Sequence, residues 1–415
     1  MSSFRDHLFP LDHPRLAGLS ELDAYEYADA HRTHPVAGPA IAGWLALAEA
    51  EFGGVTTDGE IIPGRFQPGP AENAPTRAAA AAAEALIAAV PDEDAERLRH
   101  PIDSAVWRAW MNPEFYLNRH GLRLEELDPS VRDLALEVVR ASLSESGYAV
   151  ARGVMRTNHF LGELVELPRI LNEYSYNLNI FGTPSADEPW GWNLYGHHLC
   201  LNTVFVGGQQ FFTPVFFGAE PNVIDKGPYA GTRLFDRHEE LALAFRRGLP
   251  PAKAAAATLF DRKRDPAMPP DRLHPGDELH LGGAFQDNRV IPYEGLPLVD
   301  ATAEERAAVL AIVAAYLHYI PDGPRAARLR EFEAHLDETW FAWIGGTDDD
   351  SPFYYRIQSP VILVEFDHHA GIFLANPEPE RFHIHTLVRT PNGNDYGAAV
   401  VAQVRGADSK LSGPA

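Results

Sequence analysis

The sequence predicts an α+β fold in which hairpins build antiparallel sheet and helices pack against it. Helical and β patterns arrive in blocks rather than in the regular strand–helix alternation of a parallel sheet. Leu199–Val206, Gly207-Gly208 and Gln209–Phe217 form a strong hairpin signal, two β-prone runs around a glycine pair. No glycine-rich loop joins a strand to a helix, and Gly345-Gly346 leads into three aspartates. Rossmann and P-loop chemistry therefore find no support.

Residues 1–75 hold many Pro and Gly and read as an N-terminal extension or capping segment, with one helix expected from about Pro39 to Phe52. Residues 76–404 read as one large domain and 405–415 as a disordered tail. The alanine-rich run Thr76–Val90 has high helix propensity, and Pro91-Asp92-Glu93-Asp94 offers a stop and a new cap. Asp128-Pro129-Ser130 starts an amphipathic helix that Gly147 is expected to end, and a second is expected from Asn158 to Leu171. Strands follow at Tyr174–Phe181 and Trp190–Leu194. A helix from Arg237 to Thr258 is interrupted at Pro250-Pro251, and a loop runs on to Asp300, a length usually functional or poorly ordered. Thr302 caps a helix to Tyr319, and another spans Arg325–Glu338. The end returns to strands at Thr339–Ile344, Phe353–Gln358, Val361–Asp367, Gly371–Leu374 and Phe382–Arg389.

Composition bounds the function. The 415 residues carry 35 basic and 58 acidic side chains, a net charge of −23 that repels nucleic acid and anionic membranes. Cys200 is the only cysteine, so cysteine-based zinc or iron–sulfur sites are excluded and any metal must take N and O ligands. Neither a basic-then-apolar start nor a long apolar run occurs, and the expectation is a soluble, cytoplasmic protein. The expected partner is a small-molecule substrate; a homo-oligomer is compatible with the sequence.

Chemistry concentrates in Phe382–Gly397. Alternation puts His383, His385, Leu387 and Arg389 on one strand face, and a His-x-His pair spans roughly 7 Å between alpha carbons. Imidazole is the commonest metal ligand, so the two can close on one ion. Further ligands are offered by His197 and His198 and by the run Glu365-Phe366-Asp367-His368-His369. A strand after Gly196 would place His197 and His198 on opposite faces, one ligating and its neighbour donating a hydrogen bond or facing substrate. Glu365 and Asp367 share a face, available as ligand, general base or acceptor for a histidine. The turn Pro391-Asn392-Gly393-Asn394 can fold Asp395 and Tyr396 back, with Asp395 pairing Arg389 or a histidine and Tyr396 donating into a pocket.

Structural roles compete with each assignment. Trp190 and Trp192 are more often core than substrate platform, Glu365 and Asp367 can pair with Arg356 or Arg389, and Asp395 can serve turn amides. With 18 histidines, one His-x-His alone is weak. Three histidine pairs, each beside a β stretch, are the stronger signal.

Glu188–Leu199, Thr213–Pro221, Pro292–Gly295 and His383–Gly397 together resemble the domain-of-unknown-function family numbered 3500, over about Trp110–Gly397. The resemblance implies no settled activity. It marks Trp190, Trp192, His197, His198, Glu365, Asp367, His383, His385, Arg389, Asp395 and Tyr396 as motif positions.

The leading expectation is one divalent ion (Zn, Fe, Mn or Cu) held by His383, His385 and one of His197 or His198. Glu365 would be fourth ligand or general base and Arg389 would hold an anionic group, for hydrolysis of a small ester or amide. Trp190, Trp192 and Asp367 would contact substrate. Oxygen chemistry at iron or copper is the alternative, and a non-catalytic ligand-binding protein the third.

Overall fold

The computed structural model describes residues 3–35, 37–274 and 276–406. Among them are eleven α-helices and one 13-stranded, mostly antiparallel sheet, the α+β architecture expected. The strands are β1 (Arg99–His100), β2 (Leu122–Arg123), β3 (Tyr176–Gly182), β4 (Trp190–Gly196), β5 (Leu199–Val206), β6 (Gln209–Phe211) and β7 (Val215–Ala219). They continue with β8 (Thr258–Phe260), β9 (Leu296–Pro297), β10 (Trp340–Gly345), β11 (Phe353–Gln358), β12 (Leu363–His369) and β13 (Glu380–Arg389). The main path runs β1-β3-β4-β5-β7-β13-β12-β11-β10-β8, which puts the histidine strand β13 in the interior between β7 and β12.

Both faces of the sheet are covered. Ile384, Val388, Val215, Phe217 and Phe366 join an apolar cluster with the helices Thr76–Ala89, Pro129–Ser142, Glu145–Leu164, Asp236–Gly248 and Ala303–Tyr316. Leu387, Leu363 and Phe216 point the other way, into a cluster with Ile41, Trp44, Phe52, Val55, Trp110, Leu281 and Phe285. Period-2 alternation thus assigns β13 one helix-covered face and one face covered by the first 75 residues and the segment before Asp300. His385 shares the second face with Leu387.

Several boundaries differ from expectation for identifiable reasons. Gly147 does not end a helix: the break falls earlier, at Leu143, and Ser144 caps the helix Glu145–Leu164 by accepting from Gly147 N at 2.9 Å. A side chain at Gly147 would meet Tyr319 Cα at 2.5 Å, so the glycine permits close approach rather than termination. The expected second helix therefore starts earlier than Asn158 and ends at Leu164, short of Leu171. Gln209–Phe217 divides into β6 and β7 around Pro214, which lacks a donor for the ladder. Gly371–Leu374 is no strand. The amides of Ile372, Phe373 and Leu374 donate to the buried Glu220 carboxylate at 2.8, 3.1 and 3.0 Å, which satisfies them without a ladder partner. The helix Ala398–Arg405 was not anticipated, and most of the expected tail lies outside the described residues. Gly207 and Gly208 adopt φ of 57° and 78°, as a two-residue hairpin turn between β5 and β6 requires.

The helix Asp236–Gly248 carries a buried histidine that makes stability depend on pH. Burial first, and the charge of His318 second, pull His238 down to about 3, while Glu239 on its own helix opposes the shift. The ordinary value is 6.5, so the unfolded chain takes up this proton first as pH falls. The contribution is complete above about 6.5 and is lost progressively as pH drops towards the folded value. His238→Asn is expected to show a shallower loss of denaturant midpoint between pH 7 and pH 4 than the parent chain; parallel curves would refute the assignment.

Candidate metal centre

His383 and His385 project from β13 on the face away from the main helices, and the hairpin between β4 and β5 brings His198 to them. His385 Nε2 lies 3.2 Å from His383 Nε2 and 3.2 Å from His198 Nε2. The three form a group able to hold a metal ion, and all are buried.

The backbone explains the convergence. Gly196 pairs with Leu199, so His197 and His198 are the two residues of a tight turn rather than successive strand positions on opposite faces. His198 takes φ of 61° there, and its carbonyl accepts from Gly218 N at 2.7 Å, tying the turn to β7. The two rings stack at 3.8 Å between centroids instead of diverging. His197 Nδ1 contacts Asn158 Oδ1 at 2.8 Å, which leaves His198 as the member of the pair at the other imidazoles. Gly218 sits opposite His385 in the β7–β13 ladder. A Cβ there would come within 2.8 Å of His198 Cδ2 and 3.0 Å of His385 Cδ2, so glycine clears the space the rings occupy.

Surrounding acceptors set ring orientation. His383 Nδ1 lies 2.7 Å from the Ala370 carbonyl, which can only accept, so this nitrogen carries the proton and Nε2 presents its lone pair. His385 Nδ1 lies 3.0 Å from Asp277 Oδ1, the arrangement in which a carboxylate orients a ligating histidine. The His369 ring lies 3.7 Å from that of His385, tilted by 36°, and with Asp277 and His385 forms a second overlapping group of possible ligand atoms. Burial first, and the charges of neighbouring imidazoles second, hold His198, His369 and His385 well below the usual histidine range. His197 is drawn to about 3 by burial and His383. These rings are neutral, as ligation demands. Burial and the nearby Glu365 and Asp367 push the Asp277 carboxyl far up.

The carboxylates of β12 have other partners. Glu365 accepts from Leu281 N at 2.9 Å, Gly282 N at 2.8 Å and Tyr354 OH at 2.5 Å. Burial raises its pKa, but His280, Arg356 and these donors outweigh it, and the carboxylate is held below its ordinary range. Asp367 pairs with Lys263 and accepts from Leu279 N at 3.0 Å. Neither belongs to a group of converging ligand atoms. Glu365 instead pins the loop before Asp300 to the sheet, and Asp367 neutralises a buried lysine.

Arg389 is equally occupied. It donates to Asp287 Oδ1 and Asp395 Oδ2, both at 2.8 Å, and to the carbonyls of Gly282 and Gly283. Asp395 also accepts from Thr390 N at 2.7 Å, so it combines the ion pair with the turn amide. Burial lifts Asp395 to about 6 against the pull of Arg389. Tyr396 OH donates to Asp287 at 3.1 Å and accepts from Trp110 Nε1 at 2.9 Å. This knot joins strand, turn and loop and has no exposed face on which to receive an anion. Asp395→Asn is accordingly expected to lower the melting temperature while leaving metal content unchanged. Intact stability with lost metal would assign the carboxylate to the centre.

Trp190 and Trp192 are fully buried in the helix-side core; Trp190 stacks on Phe205, and Trp192 Nε1 donates to Ser142 Oγ at 2.8 Å. They are placed in packing, away from the imidazoles.

Sequence reasoning gave no role to Asp277 and His280, and offered His369 only as a member of the run Glu365–His369. His369 follows Glu365 and Asp367 at period 2, a signal available in the sequence. Asp277 and His280 come from the irregular segment before Asp300, where no periodicity places a side chain. His280 is completely buried and neither ring nitrogen has a hydrogen-bond partner, which marks it as part of the polar interior around the centre.

Fold and site together define an α+β protein with a buried multi-histidine centre on an interior strand of its sheet. The chain belongs to the family described as Protein of unknown function (DUF3500), whose sequence profile matches residues 72–398. No curated protein and no solved structure matches it. Among the described residues no helix is long and apolar enough to cross a membrane.

Proposed function

We propose that this chain is a metalloenzyme in which His198, His383 and His385 bind one divalent ion through Nε2. The observation that carries the reading is the convergence of three imidazoles, with His385 Nε2 3.2 Å from both His383 Nε2 and His198 Nε2 and all ligand atoms within 4.8 Å of one another. Metal–nitrogen bonds of about 2.0–2.1 Å place tetrahedral neighbours about 3.3 Å apart, close to that spacing. With His383 protonated at Nδ1, its Nε2 lone pair faces the other two imidazoles, a contact that a shared ring proton or a bound cation can satisfy. The same cation would offset the cluster of buried carboxyls and favour ionised Asp277, which then accepts from His385 Nδ1.

In the hydrolytic reading, a divalent ion held by His198, His383 and His385 would lower the pKa of a water to about 7. His383, oriented by the Ala370 carbonyl, and His385, oriented by Asp277, would fix the donor set. Substrates would be esters or amides of small molecules. A second reading is oxygen activation at iron or copper, which a set of two or three histidines suits as well as zinc.

Elemental analysis of the purified protein tests the common step. One equivalent of metal is expected in the parent and less than a tenth of that in His383→Ala and His385→Ala. Stoichiometric metal retained in both variants would remove the proposal. Zinc without oxygen uptake selects hydrolysis, whereas a redox-active metal with uptake selects the second reading.

A further inference from the structure

The opposite face of β13 borders a second cavity, unconnected in composition with the imidazoles. It has a volume of about 570 Å³, within the roughly 300–1,000 Å³ typical of small-molecule pockets. Val388 and Thr386 alternate with Leu387 and His385 along the strand, so this cavity and the histidine centre lie on opposite sides of the sheet. Its floor is Val215, Phe217 and Val388, and its roof is Ala311 and Ala314 of the helix Ala303–Tyr316. Small alanines on that helix, facing large side chains of the sheet, leave the space open.

Two buried polar atoms in its lining side chains are without a protein partner. Tyr319 is 1% exposed and His238 is 8% exposed, and neither the Tyr319 hydroxyl nor His238 Nδ1 has a hydrogen-bond partner. Buried polar atoms are normally satisfied, and leaving one without a partner costs about 1–3 kcal/mol in general, so two in one cavity point to a ligand. The rim carries Arg233, Asp236 and Arg237. Arg233 is paired with Asp236 at 2.7 Å, which leaves Arg237 as the excess positive charge in an otherwise acidic protein.

We propose that this cavity binds an amphipathic organic anion: an apolar body between the sheet and the alanine face, an oxygen accepting from Tyr319, and the anionic group at Arg237. Apolar burial supplies most of the affinity and the hydroxyl and arginine fix orientation. The site stands whether or not the histidine centre binds metal, because it shares no lining residue with that centre.

The probe is 1-anilinonaphthalene-8-sulfonate, which has an aromatic body and one anionic group. Titration of the full chain is expected to give a saturable, one-equivalent rise in fluorescence, reversed by decanoate at least fivefold more effectively than by decanol. Ala314→Trp, which fills the space beneath the helix, and Arg237→Glu, an exposed change, are each expected to weaken binding at least fivefold with metal content unaltered. Should Ala314→Trp lower the melting temperature, Arg237→Glu and Tyr319→Phe carry the test in its place. Absence of saturable binding, equal displacement by decanoate and decanol, or undiminished affinity in the folded variants would overturn the proposal.

Discussion

Arg389→Met is expected to destabilise the protein by about 3–5 kcal/mol while leaving its metal content intact, because it breaks a buried charge network rather than a ligand set. The guanidinium is fully buried and satisfies two carboxylates and two carbonyls. Burial disfavours its charge, but Asp287 and Asp395 outweigh burial and push its pKa above the ordinary arginine value. Asp287 in turn is held below its ordinary range, Arg389 and Arg108 overcoming its own desolvation. Methionine matches much of the aliphatic stem yet leaves Asp395 without its cation and the Gly282 and Gly283 carbonyls without donors. For a chain of this length the loss corresponds to a fall in melting temperature of roughly 3–6 °C. Thermal unfolding at pH 7.5 checks it. An unchanged melting temperature with lost activity would return Arg389 to the substrate-binding role its place on β13 first suggests.

Gly218→Ala is expected to lower metal affinity by roughly 10- to 100-fold without altering any ligand. The new methyl would stand 2.8 and 3.0 Å from carbons of His198 and His385, closer than side-chain carbons are found, so at least one ring must move. His198 cannot retreat freely, because its turn is tied to Gly218 N and its ring stacks on His197. His385 is packed against His369. Far-UV circular dichroism should remain close to that of the parent, since both residues of the ladder keep their extended backbone. Competition with a chromophoric chelator gives the affinity, and parent-like affinity in a folded variant would mean that the rings do not jointly hold the ion.

The two substitutions separate what the histidine strand does from what it supports. In one stretch, His383 and His385 face the proposed ion while Arg389, two alternations beyond His385, locks the sheet to Asp287 and Asp395. Similar chemistry at neighbouring positions thus serves two purposes, and only the partners distinguish them.

The sequence by itself determined the α+β class, the hairpin at Gly207-Gly208, the cap at Thr302 and the alternation that puts His383 and His385 on one face, because each depends on residues a few positions apart. It also determined that any metal must use nitrogen and oxygen ligands, since one cysteine admits nothing else. Tertiary structure decided the rest. His198 rather than His197 reaches the strand because a turn, not a strand, carries the pair, and Gly218 on β7 makes room for it. Asp277 and His280 enter the interior through a segment without periodicity, held there by Glu365 and Asp367, whose carboxylates were open to several roles until the loop amides and Lys263 claimed them. Trp190 and Trp192 lie in the helix-side core for the same reason: alternation fixes which residues share a face, but the layer that covers that face is set by chain brought from far away.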